Sequence, residues 1–203
     1  MRNFFILLLF VISISSLAAP EESLIQLLGN YTTYAADFKQ TTLGDAGHIS
    51  QQGQGRVYIK RPNQFRWETS TPNADLVILN NRILWHYDPD LMQATREHLD
   101  KAAEAQNPAF LLISRVDNLV SCYDVKLIQL KKAPWFFLTP KVKSEGYQKI
   151  YLNFNKGHLD QMIVVNNLDE KSLFQFSNVQ VNQAISSSYF NFKAPKGVDL
   201  VNQ

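Results

Sequence analysis

The chain has 203 residues, of which 45% are hydrophobic, and it carries 13 phenylalanines and a formal net charge of +2. This length is enough for one domain with a hydrophobic core of its own, and the many aromatic side chains favour strands. The small net charge gives no electrostatic reason to expect nucleic acid as a partner.

The first segment in chain order has the pattern of a secretory signal peptide. An arginine precedes an apolar run over residues 4–14, and small residues follow that run. The run is shorter than the ~20 residues that span a bilayer, although an uncleaved anchor is the alternative. We expect residues 1–18 to be removed, with cleavage after Ala19 as a second possibility. Residues 19–203 are then expected to form a single exported domain.

Cysteine usage agrees with export. Cys122 is the single cysteine, so the chain has no internal disulfide bond, and no cysteine follows the cleavage site to carry a lipid anchor. We therefore expect a soluble product that is located in the periplasm of a host with two membranes. Cys122 itself is predicted to be a small buried or edge-strand residue, with a reactive thiol as the alternative.

The first predicted element of the exported domain is a short amphipathic helix. Its apolar stripe recurs at helical spacing: Leu24, Leu27, Leu28 and Tyr31. Glu21 and Glu22 in the first turn interact favourably with the positive end of the helix dipole, and Gly29 is a helix stop signal. A helix this short is marginal by itself, so it must pack on something, either as part of the core or as a mobile lid.

A strand over residues 34–41 and a meander over residues 53–91 follow. In the meander Phe65 and Trp67 share one face, and Asn80 begins a predicted turn. Alternation of this kind cannot tell whether the aromatic face fills a core or lines a cavity.

One arginine in the meander lies at a corner. Arg61 ends a predicted strand beside Pro62, which fixes its own φ and cannot donate to a ladder. Considered without any relative, this residue is as well explained by an ordinary solvated arginine at a strand end.

A second lid element is predicted after the meander. Residues 91–99 look extended, although residues 96–98 fit a helix start as well, and a helix-prone stretch follows over residues 101–105. Asn107 is then a predicted N-cap with proline at the first helical position. Residues 110–113 are all apolar, so a helix here needs cover on most sides.

From Val120 onward the pattern predicts strands only, at short spacing. Many strands with few helices indicate a mainly β fold, in which a twisted antiparallel sheet curls toward a barrel. We see no internal repeat, no linker and no second domain.

The search for catalytic chemistry is negative. The four histidines have no metal-ligand spacing, and neither a nucleophile elbow nor a phosphate-cradling glycine loop is present. We therefore expect no enzyme, no metal and no cofactor. An esterase built from dispersed residues is the alternative, which hydrolysis assays would test.

An ordered set of short motifs resembles the LolA family, the periplasmic carriers of outer-membrane lipoproteins. The matching residues are Phe38, Gln40, Gly53, Gly55, Lys60–Asn63, Phe65, Trp67, Pro72, Leu84, Trp85, Tyr87, Gln93–Thr95, Pro108, Phe110, Leu138, Pro140, Phe190, Phe192, Pro195, Gly197 and Val198. The resemblance implies an incomplete antiparallel β-barrel covered by an α-helical lid.

The resemblance also implies roles for individual residues. Arg61 matches the arginine that holds the lid closed through hydrogen bonds to helix backbone. Phe65 matches a position tied both to the cavity and to docking on a partner. The residues assigned to the lipid cavity and lid are Leu24, Leu27, Leu28, Phe38, Phe65, Trp67, Trp85, Phe110 and Leu112.

The implied partners are acylated lipoproteins, an inner-membrane release complex like LolCDE and an outer-membrane acceptor like LolB, with the carrier itself a monomer. An acceptor of the LolB type is an alternative, but it would carry a cysteine at the cleavage junction. A general lipid or glycolipid carrier of the same shape is another alternative.

Overall fold

The computed structural model describes residues 19–44, 47–100, 108–114, 116 and 119–202. The helices are α1 (Pro20–Gly29), α2 (Ala109–Ile113) and α3 (Leu119–Cys122), with a 3-10 helix at Ser187–Phe190. The strands are β1 (Thr33–Leu43), β2 (Ile49–Lys60), β3 (Gln64–Thr71), β4 (Asp75–Asn80), β5 (Ile83–Asp88), β6 (Gln93–His98), β7 (Tyr123–Leu130), β8 (Ala133–Pro140), β9 (Lys149–Asn155), β10 (His158–Val165), β11 (Lys171–Val181) and β12 (Asp199–Asn202).

The described strands form one sheet in the order β12-β6-β5-β4-β3-β2-β1-β11-β10-β9-β8-β7. Neighbouring strands are antiparallel except for β12, which lies parallel to β6. Two meanders, β2 to β6 and β7 to β11, meet at β1, which pairs with β2 on one side and β11 on the other. The sheet is open and curled, and short helices accompany it, which confirms the predicted fold class.

The predicted N-terminal helix and meander are confirmed. The helix ends at Gly29 as expected, and Asn30 caps it by donating its N–H to the Gln26 carbonyl oxygen. The four meander strands β2 to β5 follow, with positive φ at Asn81 in the turn. Residues 96–98 belong to a strand and do not begin a helix.

The predictions for the second half need three adjustments. The helix-prone residues 101–105, together with Asn107, lie outside the described residues, and Pro108 is the N-cap of α2 rather than its first residue. Helix α3 and the 3-10 helix interrupt a region predicted to be strands only. Cys122 ends α3 and is exposed, so the prediction of a buried or edge-strand cysteine is wrong.

One face of the sheet carries the main hydrophobic core, and we call it the inner face. Residues directly opposite in a ladder share a face, and Ile59, Phe65 and Leu79 are opposite one another in β2, β3 and β4. All three are buried in the cluster that α1 and α2 join. The fully or nearly fully buried side chains from these two helices are Leu24, Leu28, Phe110, Leu111, Leu112 and Ile113.

The other face, the outer face, is covered in part by the C-terminal segment. Ile78, Trp85 and Arg96 are opposite one another in β4, β5 and β6, one residue out of phase with Leu84, which packs against the inner core. The Trp85 ring lies 4.9 Å from the Phe192 ring, centroid to centroid. The assignment of Trp85 to the lipid cavity is therefore wrong, because the two-residue period of the strand directs it to the outer face.

Gly55 lies where two strands approach each other closely. It is opposite Phe38 in β1, beside a shift of register between β2 and β3. A Cβ atom at Gly55 would lie 1.8 Å from the carbonyl oxygen of Glu68 and 2.9 Å from the Phe38 ring. Only glycine fits at this position unless the backbone moves.

We expect Gly55→Ala to lower the free energy of unfolding by about 2 kcal/mol, because overpacking typically costs about 1–3 kcal/mol. The matched control is Gly53→Ala in the same strand, where the new Cβ would lie 3.3 Å from the Thr71 carbonyl oxygen and a small adjustment suffices. Urea unfolding of both variants measures the difference. An equal or smaller loss for Gly55→Ala would contradict the steric argument.

Candidate functional site

The corner between β2 and β3 presents Arg61 to two helices. The backbone N–H of Arg61 donates to the Thr32 carbonyl oxygen at 2.8 Å, which ties the corner to the chain just before β1. Two residues later, Asn63 has a φ of 63° and completes the reversal. The corner is thus fixed to the sheet, and its side chain extends toward the helices on the inner face.

The Arg61 guanidinium donates hydrogen bonds to carbonyl oxygens of both α1 and α2. Its Nε and Nη2 atoms lie 3.0 and 2.8 Å from the Leu112 carbonyl oxygen, and its Nη1 donates to the carbonyl oxygen of Leu28. The backbone N–H of Asn63 adds a bond to the Ile113 carbonyl oxygen at 3.3 Å. One corner of the sheet therefore binds the backbones of two helices.

These carbonyls are natural acceptors for an arginine. The last carbonyl groups of a helix have no partner within the helix and carry the negative end of its dipole. Leu28 lies in the last turn of α1, and Leu112 and Ile113 end α2. Arginine brings five donors in a planar fork, so one side chain can serve both helix ends.

Tyr31 lies against the same guanidinium. The Arg61 Cζ is 4.7 Å from the centroid of the Tyr31 ring, within the range of cation–π attraction. Tyr31 is 2% exposed, and its hydroxyl is buried with no hydrogen-bond partner in the described part of the chain. Burial raises the pKa of Tyr31 to about 12, against the opposing effect of Arg61. Burial likewise lowers the pKa of Arg61 from its usual value, with Tyr31 opposing.

Sequence reasoning missed this role for Tyr31. Its spacing from Leu24 and Leu28 placed it in the apolar stripe of the predicted helix, but α1 ends at Gly29 and Tyr31 lies beyond it. The available signal was the residue type. A tyrosine just past a helix stop, among leucines, brings a polar atom into an apolar environment.

A row of aromatic rings continues from the corner along the inner face. Phe65 stacks on Trp67 with centroids 6.0 Å apart, and Trp67 stacks on Phe38 at 3.9 Å. Phe174 meets the Trp67 ring edge-on at 5.3 Å. The structure thus brings together three predicted site residues from β1 and β3 and adds Phe174 from β11.

Cover over the inner face is uneven. The side chains of the central cluster are buried, whereas several apolar residues that pack against it are only partly buried. They are Leu27 of α1 and, from the sheet, Trp67, Val77, Leu84, Phe154, Val164 and Phe174. The inner face is therefore filled by the chain's own side chains, and some of its apolar residues remain partly accessible.

Phe65 is 6% exposed and belongs to the buried cluster. In this closed arrangement its side chain is not available to a partner. Any docking role of Phe65 requires the cover above it to move.

The polar chemistry of the described residues is sparse. Within the described ranges, no group of three or more histidine, cysteine, aspartate or glutamate side chains could hold a metal ion. The helices of the described part are also too short or too polar to cross a membrane. One histidine forms a pair with a carboxylate at the surface, with His86 Nε2 2.5 Å from Asp75 Oδ1. Asp75 accepts this hydrogen bond from the protonated ring, which raises the pKa of His86.

The fold and the site define a class: proteins in which short helices cover the apolar inner face of one open, curled antiparallel sheet. The chain belongs to the LolA family, because the family model described as "Outer membrane lipoprotein carrier protein LolA" matches residues 29–193.

Two relatives extend the match to almost the whole chain. A protein of Coxiella burnetii named outer-membrane lipoprotein carrier protein is 40% identical over 200 residues, covering 96% of this chain and 94% of the relative. A protein of Pseudomonas putida with the same name is 31% identical over 208 residues, covering 100% of each.

Solved structures agree on the fold. The crystal structure of a LolA superfamily protein from Nitrosomonas europaea matches with a TM-score of 0.54 and 15% identity, covering 86% of this chain and 99% of that one. An uncharacterized conserved protein from Thermus thermophilus matches with a TM-score of 0.55 and 11% identity, covering 90% and 97%. At these identities the likeness concerns the fold alone.

We expect Arg61→Leu to loosen α1 and α2 while leaving the sheet folded. A hydrogen bond from a charged donor contributes ~1.5–3 kcal/mol, so amide exchange in both helices should accelerate about tenfold or more. Exchange in β9 and β10 should match the wild type. The control is Arg56→Leu, because Arg56 in β2 is 43% exposed and its ion-pair partner is Asp37. Unchanged exchange in α1 and α2 would refute the role of Arg61 in holding them.

The His86–Asp75 pair predicts a small pH dependence. The pKa of His86 is raised in the folded state, so the stabilisation is fully present below the ordinary histidine pKa and is lost as pH rises through the raised value. We expect Asp75→Asn to lower the pKa of His86 in NMR titration. Its stability cost should be under about 1 kcal/mol, as for other exposed pairs, and larger at acidic than at alkaline pH. Asp88→Asn, which removes a weaker influence, should shift the pKa less.

Proposed function

We propose that this chain is a periplasmic carrier that accepts acylated lipoproteins released from the inner membrane and passes them to an outer-membrane acceptor. The observation that carries the proposal is the helical cover: two short helices lie on an apolar sheet face and are held to a sheet corner through Arg61. The names of the relatives from Coxiella burnetii and Pseudomonas putida support this assignment.

The energetics explain why such cargo needs a carrier. Each methylene group buried from water is worth ~0.8 kcal/mol, so three acyl chains stripped bare into water would face a barrier of tens of kcal/mol. An apolar inner face with rings such as Trp67 and Phe174 can replace the membrane for these chains. No catalytic step is needed for this role, and we propose a carrier, not an enzyme.

Cargo and helices compete for one surface. Leu24, Leu28 and Leu112 occupy the inner face in the closed state, and burying each such side chain is worth ~1.5–3 kcal/mol. Acyl chains can take that place only when α1 and α2 move away. On release the helices return and recover their own packing, so the carrier does not hold its cargo irreversibly.

The direction of transfer is assigned to partners. Loading is driven by an inner-membrane release complex of the LolCDE type, and unloading by tighter binding at an acceptor of the LolB type. Phe65 contributes to docking on the release complex once the cover above it has opened. The working form is a monomer of residues 19–203, exported after removal of residues 1–18.

The first test is the content of the protein purified from the periplasm of a host that expresses it. Native mass spectrometry should detect complexes with intact triacylated lipoproteins, and crosslinking should place their acyl chains against Trp67. Recovery of phospholipid or glycolipid alone would instead favour a general lipid carrier.

The second test concerns the switch. We expect Arg61→Leu to lower the rate at which a bound lipoprotein is transferred to the acceptor by about tenfold or more. The reason is that the returning helices lose the contacts that hold them closed. The Arg56→Leu variant should transfer at the wild-type rate. If Arg61→Leu also transfers normally, Arg61 has no part in the switch.

A further inference from the structure

The hydroxyl of Tyr31 stands out among the polar atoms of the inner core. Tyr34 and Tyr123 are also buried there, but the Tyr34 hydroxyl donates to the Leu159 carbonyl oxygen at 3.0 Å and Tyr123 bonds the Tyr147 hydroxyl. Tyr31 has no such acceptor in the described part of the chain. A buried hydroxyl without a partner costs about 1–3 kcal/mol, which phenylalanine at the same position would avoid.

Arg61 also lacks hydrogen-bond acceptors once the cover opens. All of its described side-chain acceptors are carbonyl oxygens of α1 and α2, at Leu28 and Leu112. When the helices move away these acceptors leave, while the corner that carries Arg61 stays with the sheet. The open state therefore leaves two donors without acceptors next to an apolar surface. They are the Arg61 guanidinium and the hydroxyl of Tyr31, whose ring centroid lies 4.7 Å from Arg61 Cζ in the closed state.

We propose that Tyr31 and Arg61 bind the ester carbonyl oxygens of the cargo's diacylglyceryl group. Each acyl chain of this group is attached through an ester bond, whose carbonyl oxygen is an uncharged acceptor. In the open state this oxygen takes the place of a helix carbonyl oxygen. Arg61 thus exchanges one set of carbonyl partners for another, and Tyr31 gains the partner that it lacks in the closed state. This inference rests on the proposed carrier function and names the polar contact of that same site.

The test compares two synthetic triacylated lipopeptides that differ only in the glyceryl linkages. One has ester-linked glyceryl chains, and the other has ether-linked chains of equal length without the carbonyl oxygens. Affinity is measured for the wild type, for Tyr31→Phe and for the matched control Tyr34→Phe. The control removes a hydroxyl that is equally buried but already has its acceptor at Leu159.

We expect the wild type to bind the ester lipopeptide at least tenfold more tightly than the ether lipopeptide, because both Arg61 and Tyr31 lose their acceptors in the ether. Tyr31→Phe should reduce this preference about fivefold to tenfold, the range for one hydrogen bond of ordinary strength, whereas Tyr34→Phe should keep it. Tyr31→Phe also relieves the unpartnered hydroxyl of the closed state, which weakens the binding of both lipopeptides by the same factor. The ratio of the two affinities removes that contribution.

The infrared ester carbonyl band of the bound lipopeptide gives a second readout, and it should move to higher frequency in Tyr31→Phe as the hydrogen bond is lost. Equal affinities of the wild type for both lipopeptides, or an ester preference that is unchanged in Tyr31→Phe, would overturn this inference and leave the carrier function intact. Failure of the wild type to bind either lipopeptide would overturn the proposed function itself.

Discussion

The arrangement of the helices depends on hydrogen bonds from one arginine to backbone carbonyl oxygens. Arg61 reaches Leu28 at the end of α1 and Leu112 at the end of α2, two segments far apart in the sequence. Because the acceptors are backbone atoms, the bonds depend on where each helix ends rather than on which side chains it carries. The same guanidinium serves both helices, so their positions on the sheet are coupled.

The coupling matters because the surface under the helices is apolar. A free carrier that exposed it would present a large hydrophobic patch to water and to other proteins. Leucines of the chain's own helices cover this patch and hide it from water. Their hydrophobic packing is strong in sum but has no required geometry. The directional contacts between this corner and the helices come from the Arg61 guanidinium and the backbone N–H of Asn63, whereas the packing of side chains beneath the helices is non-directional.

Much of this architecture could be predicted from local patterns. Two predictions were confirmed: the helix indicated by the spacing of Leu24 and Leu28, and the strands indicated by the alternation around Phe65. Both patterns reflect contacts made within a few residues. The assignment of Trp85 to the cavity was wrong because an aromatic residue in a strand can lie on either face of the sheet. Only the register against β4 and β6 shows that Trp85 lies on the outer face. The sequence did not predict helix α3, because its residues have ordinary strand propensities. Tertiary packing decided between helix and strand there.

The candidate site divides in the same way. The corner at Arg61 and Pro62 is visible in the sequence, because proline and the change of pattern both mark it. The acceptors of Arg61 are not visible, since a backbone carbonyl carries no side-chain signature and the two helices lie about thirty and fifty residues away. The sequence indicated that Tyr31 is buried among apolar residues, but not that its hydroxyl has no hydrogen-bond partner. The absence of a hydrogen bond depends on the whole packed core.

The ends of the sheet have a consequence of their own. Among the described strands, β7 and β12 each have one hydrogen-bonded neighbour, so the sheet does not close on itself. A closed sheet has a girth set by its strand number and stagger, and it can widen only by breaking ladder hydrogen bonds. An open sheet can uncurl by small changes of twist spread over many strands. The strand number of this sheet therefore does not set a fixed girth for the inner face.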